Sequence, residues 1–190
     1  MENTTLKRSL ITLTLLAAST SGAHAQSMYA GIAYSSFSGE NVYVGPVDSD
    51  EYELVGEVAE IFIGADCDMG SYILGGEASI VTGAVYEEGY EDEYQFTSIV
   101  DLKGRLGFDA GQFMPYGVLG LSAGTFEDKV GDSETQFGVI AGLGADVAVS
   151  TQFKVGLEFT SRAYNFEGLY NDGDIESRVN SASLRGSFRF

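Results

Sequence analysis

Several segments of the sequence place an ionisable side chain at every second position. Asp101, Lys103 and Arg105 follow one another in this way, and Arg185 and Arg189 are separated by four positions. A spacing of two or four puts side chains on one face of a β-strand. Acids and bases gathered on such faces can form ion pairs in a confined interior, or they can line a path for ions. Both arrangements require strands that close around the charged face.

The residue types needed for nucleophilic catalysis are scarce. The chain contains one histidine, His24, and one cysteine, Cys67. Because His24 falls in a predicted leader, we expect neither a serine–histidine pair nor a histidine metal ligand. We predict no enzyme activity, no catalytic residues, no cofactor and no metal centre. Cys67 cannot form an intrachain disulfide, and two roles stay open for it, as a half-buried structural residue or as a reactive thiol.

The N-terminal segment has the pattern of a secretory signal peptide. Basic residues precede the short apolar run Ser9–Ala18, and small residues then lead to a cleavage site between Ala25 and Gln26. The apolar run is shorter than the about 20 residues that a membrane-spanning helix needs. We therefore assign residues 1–25 to the signal peptide and residues 26–190 to one mature domain.

Apolar and polar residues alternate with a period of two through most of that domain, which predicts β-strands. Eight strands are predicted, at Met28–Phe37, Glu57–Asp66, Ser71–Val81, Tyr94–Phe108, Met114–Phe126, Thr135–Val149, Thr151–Tyr164 and Arg178–Phe190. Several are long enough to cross a membrane as tilted strands, which takes about nine to eleven residues.

The predicted connections alternate between short and long, as they do in outer-membrane barrels with short periplasmic turns and longer external loops. The sequence therefore predicts an all-β fold, an eight-stranded antiparallel up-and-down transmembrane β-barrel. The long loops are predicted at Ser38–Gly56, Thr82–Glu93 and Phe166–Ser177, with an intermediate one at Glu127–Glu134.

Strand parity separates an apolar face from a polar one but does not say which face is inside. A soluble carrier with an apolar cavity would turn the apolar face inward, whereas a membrane barrel turns it outward. Glycines on the polar face and a near balance of charge there favour the membrane barrel. Aromatic residues near the strand ends are predicted to form interfacial girdles, namely Tyr29, Phe37, Tyr94, Phe108, Tyr116, Phe126, Tyr164 and Phe166.

With the apolar face outward, the charged face lines the lumen of the barrel. We predict a structural ion-pair network there, formed by Glu60, Glu77, Asp101, Lys103, Arg105, Asp146, Lys154, Glu158, Arg162, Arg185 and Arg189. An eight-stranded barrel leaves an interior only just wide enough for side chains, so a packed plug of ion pairs is favoured over an open pore.

The chain is strongly acidic, with 28 acidic and 10 basic residues and a formal net charge of −18. Most of the acids fall in the predicted long loops, so the external rim is predicted to be negative. Nucleic acid is excluded as a partner, because phosphate binding needs clustered cations. The acidic loops could gather divalent cations loosely or could act only through repulsion and solubility.

Certain motifs add a resemblance to this pattern. They are Met28-Tyr29-Ala30-Gly31, Pro115-Tyr116-Gly117, the glycine-rich 138–145 segment, the 154–166 strand and the terminal Ser187-Phe188-Arg189-Phe190. In this order they resemble the small outer-membrane β-barrels of the opacity, OmpA-like and OmpX-like type. The resemblance implies that Phe188 and Phe190 belong to a C-terminal signal read by the outer-membrane insertion machinery.

The predicted function is that of a monomeric outer-membrane protein with a structural or surface-interaction role. Its expected partners are outer-membrane lipid, lipopolysaccharide and the insertion machinery. A narrow porin for small solutes or ions is the first alternative, and a soluble periplasmic lipocalin-like carrier is the second.

Overall fold

The strands of the protein close into a barrel in sequence order, with every neighbouring pair antiparallel. The computed structural model describes residues 26–44, 49–87, 89, 95–127, 133–167 and 174–190. Its eight strands are β1 Gln26–Val44, β2 Ser49–Asp68, β3 Tyr72–Glu87, β4 Gln95–Phe108, β5 Phe113–Glu127, β6 Ser133–Ala148, β7 Phe153–Glu167 and β8 Asp174–Arg189. The predicted fold class is confirmed. Among the described residues, no helix is long and apolar enough to cross a membrane. The predicted signal peptide, including Ala25, lies outside them.

Two ends of the barrel are distinguished below. The turn end carries the short connections at residues 69–71, 109–112 and 149–152, together with the C-terminus. The loop end is the opposite one. There the predicted long loops were wrong in extent, because β1 continues to Val44 and β2 begins at Ser49. Serine, glycine and glutamate look like loop residues, but pairing with a neighbouring strand overrides that weak preference.

The strand register fixes the shape of the barrel. Cross-strand partners lead from Ala30 around the whole sheet through Ile63, Ala78, Leu102, Leu121, Val139, Ala163 and Arg178. Arg178 is paired in turn with Glu40 of β1, ten residues beyond Ala30 in the direction of the loop end. The shear number is therefore 10 for eight strands. Such a barrel has strands tilted by about 40° and an interior that side chains can fill.

The apolar face of the strands points outward, as predicted. Leu119, Phe137 and Leu143 are 70%, 78% and 71% exposed, whereas charged residues on the polar face of other strands, such as Asp101, Lys103 and Glu158, are at most 2% exposed. A soluble carrier with an apolar cavity would require the reverse. Phe96 has the same parity as the outward residue Phe108, but it is 1% exposed and lies inside the barrel. The cause is a break in register between Phe96 and Ser98, a β-bulge that reverses the parity at the start of β4.

The predicted aromatic girdle is wrong for half of its members. Tyr29, Phe37, Tyr116 and Tyr164 are buried inside the barrel. Parity decides which way a strand residue points, and proximity to a strand end does not change it. Of the other predicted girdle residues, Phe108 points outward, Phe126 packs against the interior, and Tyr94 and the side chain of Phe166 lie outside the described part of the chain. The exposed aromatics at the turn end are Tyr72, Phe108, Phe113, Phe153, Phe188 and Phe190.

An interior apolar cluster fills the barrel near the loop end. Its buried members are Phe37, Leu54, Val58, Val81, Val85, Phe96, Ile99, Tyr164 and Val179. Residues from six strands meet there, so the cluster crosses the lumen.

Glycines inside the barrel make room for large side chains on the next strand. Gly64 is the cross-strand partner of Tyr29, and Gly144 is the partner of Tyr116. A Cβ atom on Gly64 would lie 2.3 Å from Tyr29 Oη, and one on Gly144 would lie 2.4 Å from Tyr116 Cζ. Each ring therefore lies flat over a bare stretch of backbone, which explains why glycine occupies the charged face of these strands.

Gly144→Ala should destabilise the barrel by about 1–3 kcal/mol, because the new methyl group forces the Tyr116 ring out of its place. Urea unfolding of the detergent-solubilised protein, followed by loss of the fast-migrating gel band, measures this change. Gly186→Ala is the matched control, since a Cβ there meets nothing within 4 Å. Equal unfolding midpoints for the two variants would contradict the packing role of Gly144.

Candidate functional site: the charged interior

Residues from five strands meet at mid-height inside the barrel to form a central ion cluster. Its members are Glu60 of β2, Glu77 of β3, Lys103 and Arg105 of β4, Glu158 of β7 and Arg185 of β8. None of them is more than 4% exposed. Most of these residues are far apart in the sequence, but the closed sheet directs all six side chains into the lumen.

Lys103 is surrounded by carboxylates. Its Nζ atom lies 2.8 Å from Glu77 Oε1, 2.8 Å from Glu158 Oε1 and 3.6 Å from Glu60 Oε1. The ammonium group donates one of these contacts to Glu158 as a hydrogen bond. A compact ammonium can serve several acceptors from different strands at once, which makes Lys103 the centre of the cluster.

Arg185 and Arg105 also contact the carboxylates that surround Lys103. Arg185 Nη2 lies 2.5 Å from Glu77 Oε2, and its Nη1 donates to Glu158. Arg105 Nη1 lies 3.4 Å from Glu77 Oε2, while its Nη2 lies 2.8 Å from Asp146 Oδ2. The two guanidinium groups thus join opposite walls of the barrel through shared acids.

Two tyrosines belong to this site, although the sequence analysis placed them at the membrane interface. The Tyr29 hydroxyl donates to Glu77 Oε2 at 3.0 Å and accepts from Arg105 Nη1 at 2.6 Å. The Tyr116 hydroxyl donates to Glu158 Oε2 at 3.0 Å, and the Arg105 guanidinium lies 4.0 Å from the centre of its ring. Cation–π contact and hydrogen bonding both stabilise buried positive charge here. The parity of Tyr116, opposite to Leu119, was the signal that could have revealed this.

A second pair lies between the central ion cluster and the interior apolar cluster. Arg162 Nη2 lies 2.6 Å from Asp101 Oδ2, and its Nη1 donates to Thr160 and Ser181, each at 3.0 Å. Ser122 donates to Asp101 Oδ1 at 2.5 Å. All of these groups are buried. The ionic contact is therefore supported by hydroxyl groups, none of which the sequence analysis had singled out.

The predicted residues nearest the turn end are held more loosely. Lys154 is 23% exposed in its side chain, and its Nζ lies 3.8 Å from Asp66 Oδ2. Asp66, a buried acid, was missed by the sequence analysis. Arg189 is exposed and forms no ion pair with any side chain that the structure describes, so the structure does not bring it into the network. It is the last strand residue of β8, where the lumen opens to solvent.

The arrangement can neutralise charge and hold strands together. In the ranges that the structure describes, no three or more His, Cys, Asp or Glu side chains could together hold a metal ion. The other predicted features lie at the turn end. Gln26 begins β1, and Phe188 stacks on Phe190 with ring centres 6.5 Å apart.

Comparison with known proteins gives a family and a relative. Residues 9–190 match the family described as outer membrane protein beta-barrel domain. A 22 kDa outer membrane protein of Rhizobium leguminosarum bv. viciae is 27% identical over 139 residues, which cover 70% of this chain and 63% of that protein. The match thus spans less than two thirds of the relative's length.

Solved structures share the fold at low identity. The outer membrane protein AlkL has a TM-score of 0.54 and 13% identity, with 91% of this chain and 94% of that chain covered. For Ail, the attachment invasion locus protein of Yersinia pestis, the TM-score is 0.52 and the identity 14%, with 87% and 97% covered. Ail has also been solved with the heparin analogue sucrose octasulfate. These likenesses concern the fold alone. With its apolar exterior and the family match over residues 9–190, the chain belongs to the outer membrane protein beta-barrel domain family and is an integral protein of the outer membrane.

Proposed function

We propose that the protein is a non-enzymatic, monomeric barrel with a structural or surface-interaction role, and that its lumen is closed to ions and solutes. The observation that carries this proposal is the burial of the central ion cluster, whose members are at most 4% exposed while they bridge strands on opposite walls. Paired charges in a barrel that side chains fill hold the strands together and oppose the passage of ions.

The interior apolar cluster supports the same conclusion independently. It lies on the loop-end side of the ion pairs and is formed by side chains that are no more than 3% exposed. A hydrated ion that entered from the loop end would have to lose its water among Leu54, Val58 and Phe96 before it reached a compensating charge. Hydrophobic constrictions of this kind block conduction.

The porin alternative is tested by conductance. The purified protein in planar lipid bilayers should give no steady single-channel current, because both interior layers must open before an ion can pass. The inserted protein is shown to be folded by its heat-modifiable gel mobility. Reproducible current steps from folded protein would refute a closed lumen and favour a narrow channel.

The structural role of the central ion cluster is tested by stability. Glu77→Gln keeps the side-chain shape but removes one of the two carboxylates that Lys103 and Arg185 share, so that only Glu158 remains between them. Removing one partner of a buried pair costs about 3–5 kcal/mol. Urea unfolding in lipid vesicles, monitored by tyrosine fluorescence since the chain has no tryptophan, measures the loss.

Glu53→Gln is the control for that experiment. Glu53 is exposed near the loop end, so its neutralisation should change the free energy of unfolding by less than about 0.5 kcal/mol. If Glu77→Gln is as stable as Glu53→Gln, the cluster does not hold the barrel together.

We further infer that the loop end avoids polyanions, unlike Ail with its bound heparin analogue. The described acidic side chains there that are exposed or half-buried are Glu40, Glu53, Glu57, Glu127 and Glu134. Arg178 is their basic counterpart on β8. Such a surface favours cationic partners and loose association of divalent cations, and it repels sulfated sugars.

Immobilised heparin should therefore fail to retain the detergent-solubilised protein at low ionic strength. The same protein should bind an immobilised polylysine surface, and it should be released as salt screens the attraction. Salt-dependent retention on heparin would contradict the acidic loop-end surface.

A further inference from the structure

The outward apolar belt of the barrel is not of even height. On β6 the outward positions are apolar from Val147 back to Phe137, a span of eleven residues. On the adjacent β7 they are apolar without a break from Phe153 to Phe159, a span of seven residues, after which Ser161 interrupts the series before the small residue Ala163. With about 3.3 Å per residue and a tilt of about 40°, these spans measure about 25 Å and about 15 Å along the barrel axis. A typical belt is about 25 Å tall.

The apolar surface of β6 reaches further toward the loop end than that of β7, and this difference remains when the stagger between neighbouring strands is taken into account. A shear number of 10 over eight strands displaces neighbours by about 1.25 residues. The cross-strand partner of Ser161 is Ala141, so Val139 lies at nearly the same height as Ser161. Val139 is an outward apolar residue, 56% exposed. At one level, therefore, two neighbouring strands present a hydrocarbon surface and a hydroxyl group.

Polar residues continue from Ser161 across the next strands. Ser161 is the cross-strand partner of Asn180 on β8, and Asn180 is the partner of Ser38 on β1. All three are exposed on the outer surface. Arg178, the next outward residue of β8, is exposed. Its cross-strand partner on β1 is the half-buried Glu40, but Arg178 forms no ion pair with Glu40 or with any other side chain in the described ranges, so its guanidinium group is available to a ligand. We call Ser161, Asn180, Ser38 and Arg178 the outward polar row.

The position of Glu57 on the same wall shows how far the hydrocarbon of the bilayer can extend toward the loop end. Glu57 of β2 is exposed on the outer surface and is the cross-strand partner of Ser36. Its Oε2 atom accepts a hydrogen bond of 2.7 Å from the Tyr34 hydroxyl, another outward residue. One hydroxyl donor does not replace the hydration of a carboxylate, so Glu57 must lie where water or polar headgroups reach it.

We propose that the phosphate-bearing headgroups of the outer lipid leaflet descend along the β7, β8, β1 and β2 wall as far as Ser161, and that the outward polar row binds them. Arg178 and Asn180 are hydrogen-bond donors suited to phosphate oxygens. A bilayer adapts to an uneven belt at a modest energy per ångström. Burying the same hydroxyl, amide and guanidinium groups in hydrocarbon would cost far more. The proposal rests on membrane insertion but not on whether the lumen conducts.

Site-directed spin labelling tests this assignment. Cys67, the one cysteine of the chain, is first replaced by Cys67→Ser. Ser161→Cys and Val139→Cys are then labelled separately in phospholipid vesicles. The matched pair lies at one height on adjacent strands, so the ratio of nickel-complex to oxygen accessibility should be roughly threefold or more higher at position 161, because the polar reagent is excluded from hydrocarbon.

A second readout identifies the headgroup. A nitroxide at position 161 should enhance the relaxation of lipid phosphorus nuclei more strongly than one at position 139. Heat-modifiable gel mobility shows that each labelled variant is folded. Equal accessibility and equal phosphorus relaxation at the two positions would overturn the proposal. Spin–spin broadening at position 161 that disappears on dilution with unlabelled protein would also overturn it, since a second copy would then cover the wall.

Discussion

The narrow interior of the barrel is the constraint on which the other features depend. Eight strands with a shear number of 10 enclose a space that side chains fill. A charge placed there is removed from water, so it must be paired. Lys103 meets this demand with three carboxylates, and Arg105 meets it with Glu77, Asp146 and two tyrosines. The same lack of space requires Gly64 and Gly144 beneath the tyrosine rings.

Strand parity allowed the fold and much of the charged interior to be predicted from the sequence. Residues such as Glu77 and Glu158 alternate strictly with outward apolar neighbours, so their direction follows from local pattern alone. Their partners could not be predicted in the same way. The contact of Arg185 with Glu77 joins residues 108 positions apart, and such contacts depend on the register around the whole barrel. Tyr29 and Tyr116 lie in the interior and not at the predicted interface, because parity and not aromatic type sets the direction of a strand residue.

The remaining errors arise where the local pattern is interrupted. The bulge at Phe96 reverses parity within β4, and no residue type there indicates that the strand contains an extra residue. At the loop end, Gly39 and Glu40 pair with Leu54 and Glu53 despite their low β-propensity. Many backbone hydrogen bonds act together in a long hairpin. The β-propensity of single exposed residues therefore has little influence on where the strands end.

Charge is distributed unevenly because its cost differs between inside and outside. The ion pairs of the interior involve six acids, Glu60, Asp66, Glu77, Asp101, Asp146 and Glu158, and five bases, Lys103, Arg105, Lys154, Arg162 and Arg185. This near balance contrasts with the net charge of −18 for the chain. Added acids in the interior would lack partners, whereas at the loop end water and counter-ions screen them. Glu53 and Glu57 lie outside this network and are exposed, so they can shape contacts with the surroundings without loosening the strands that hold them.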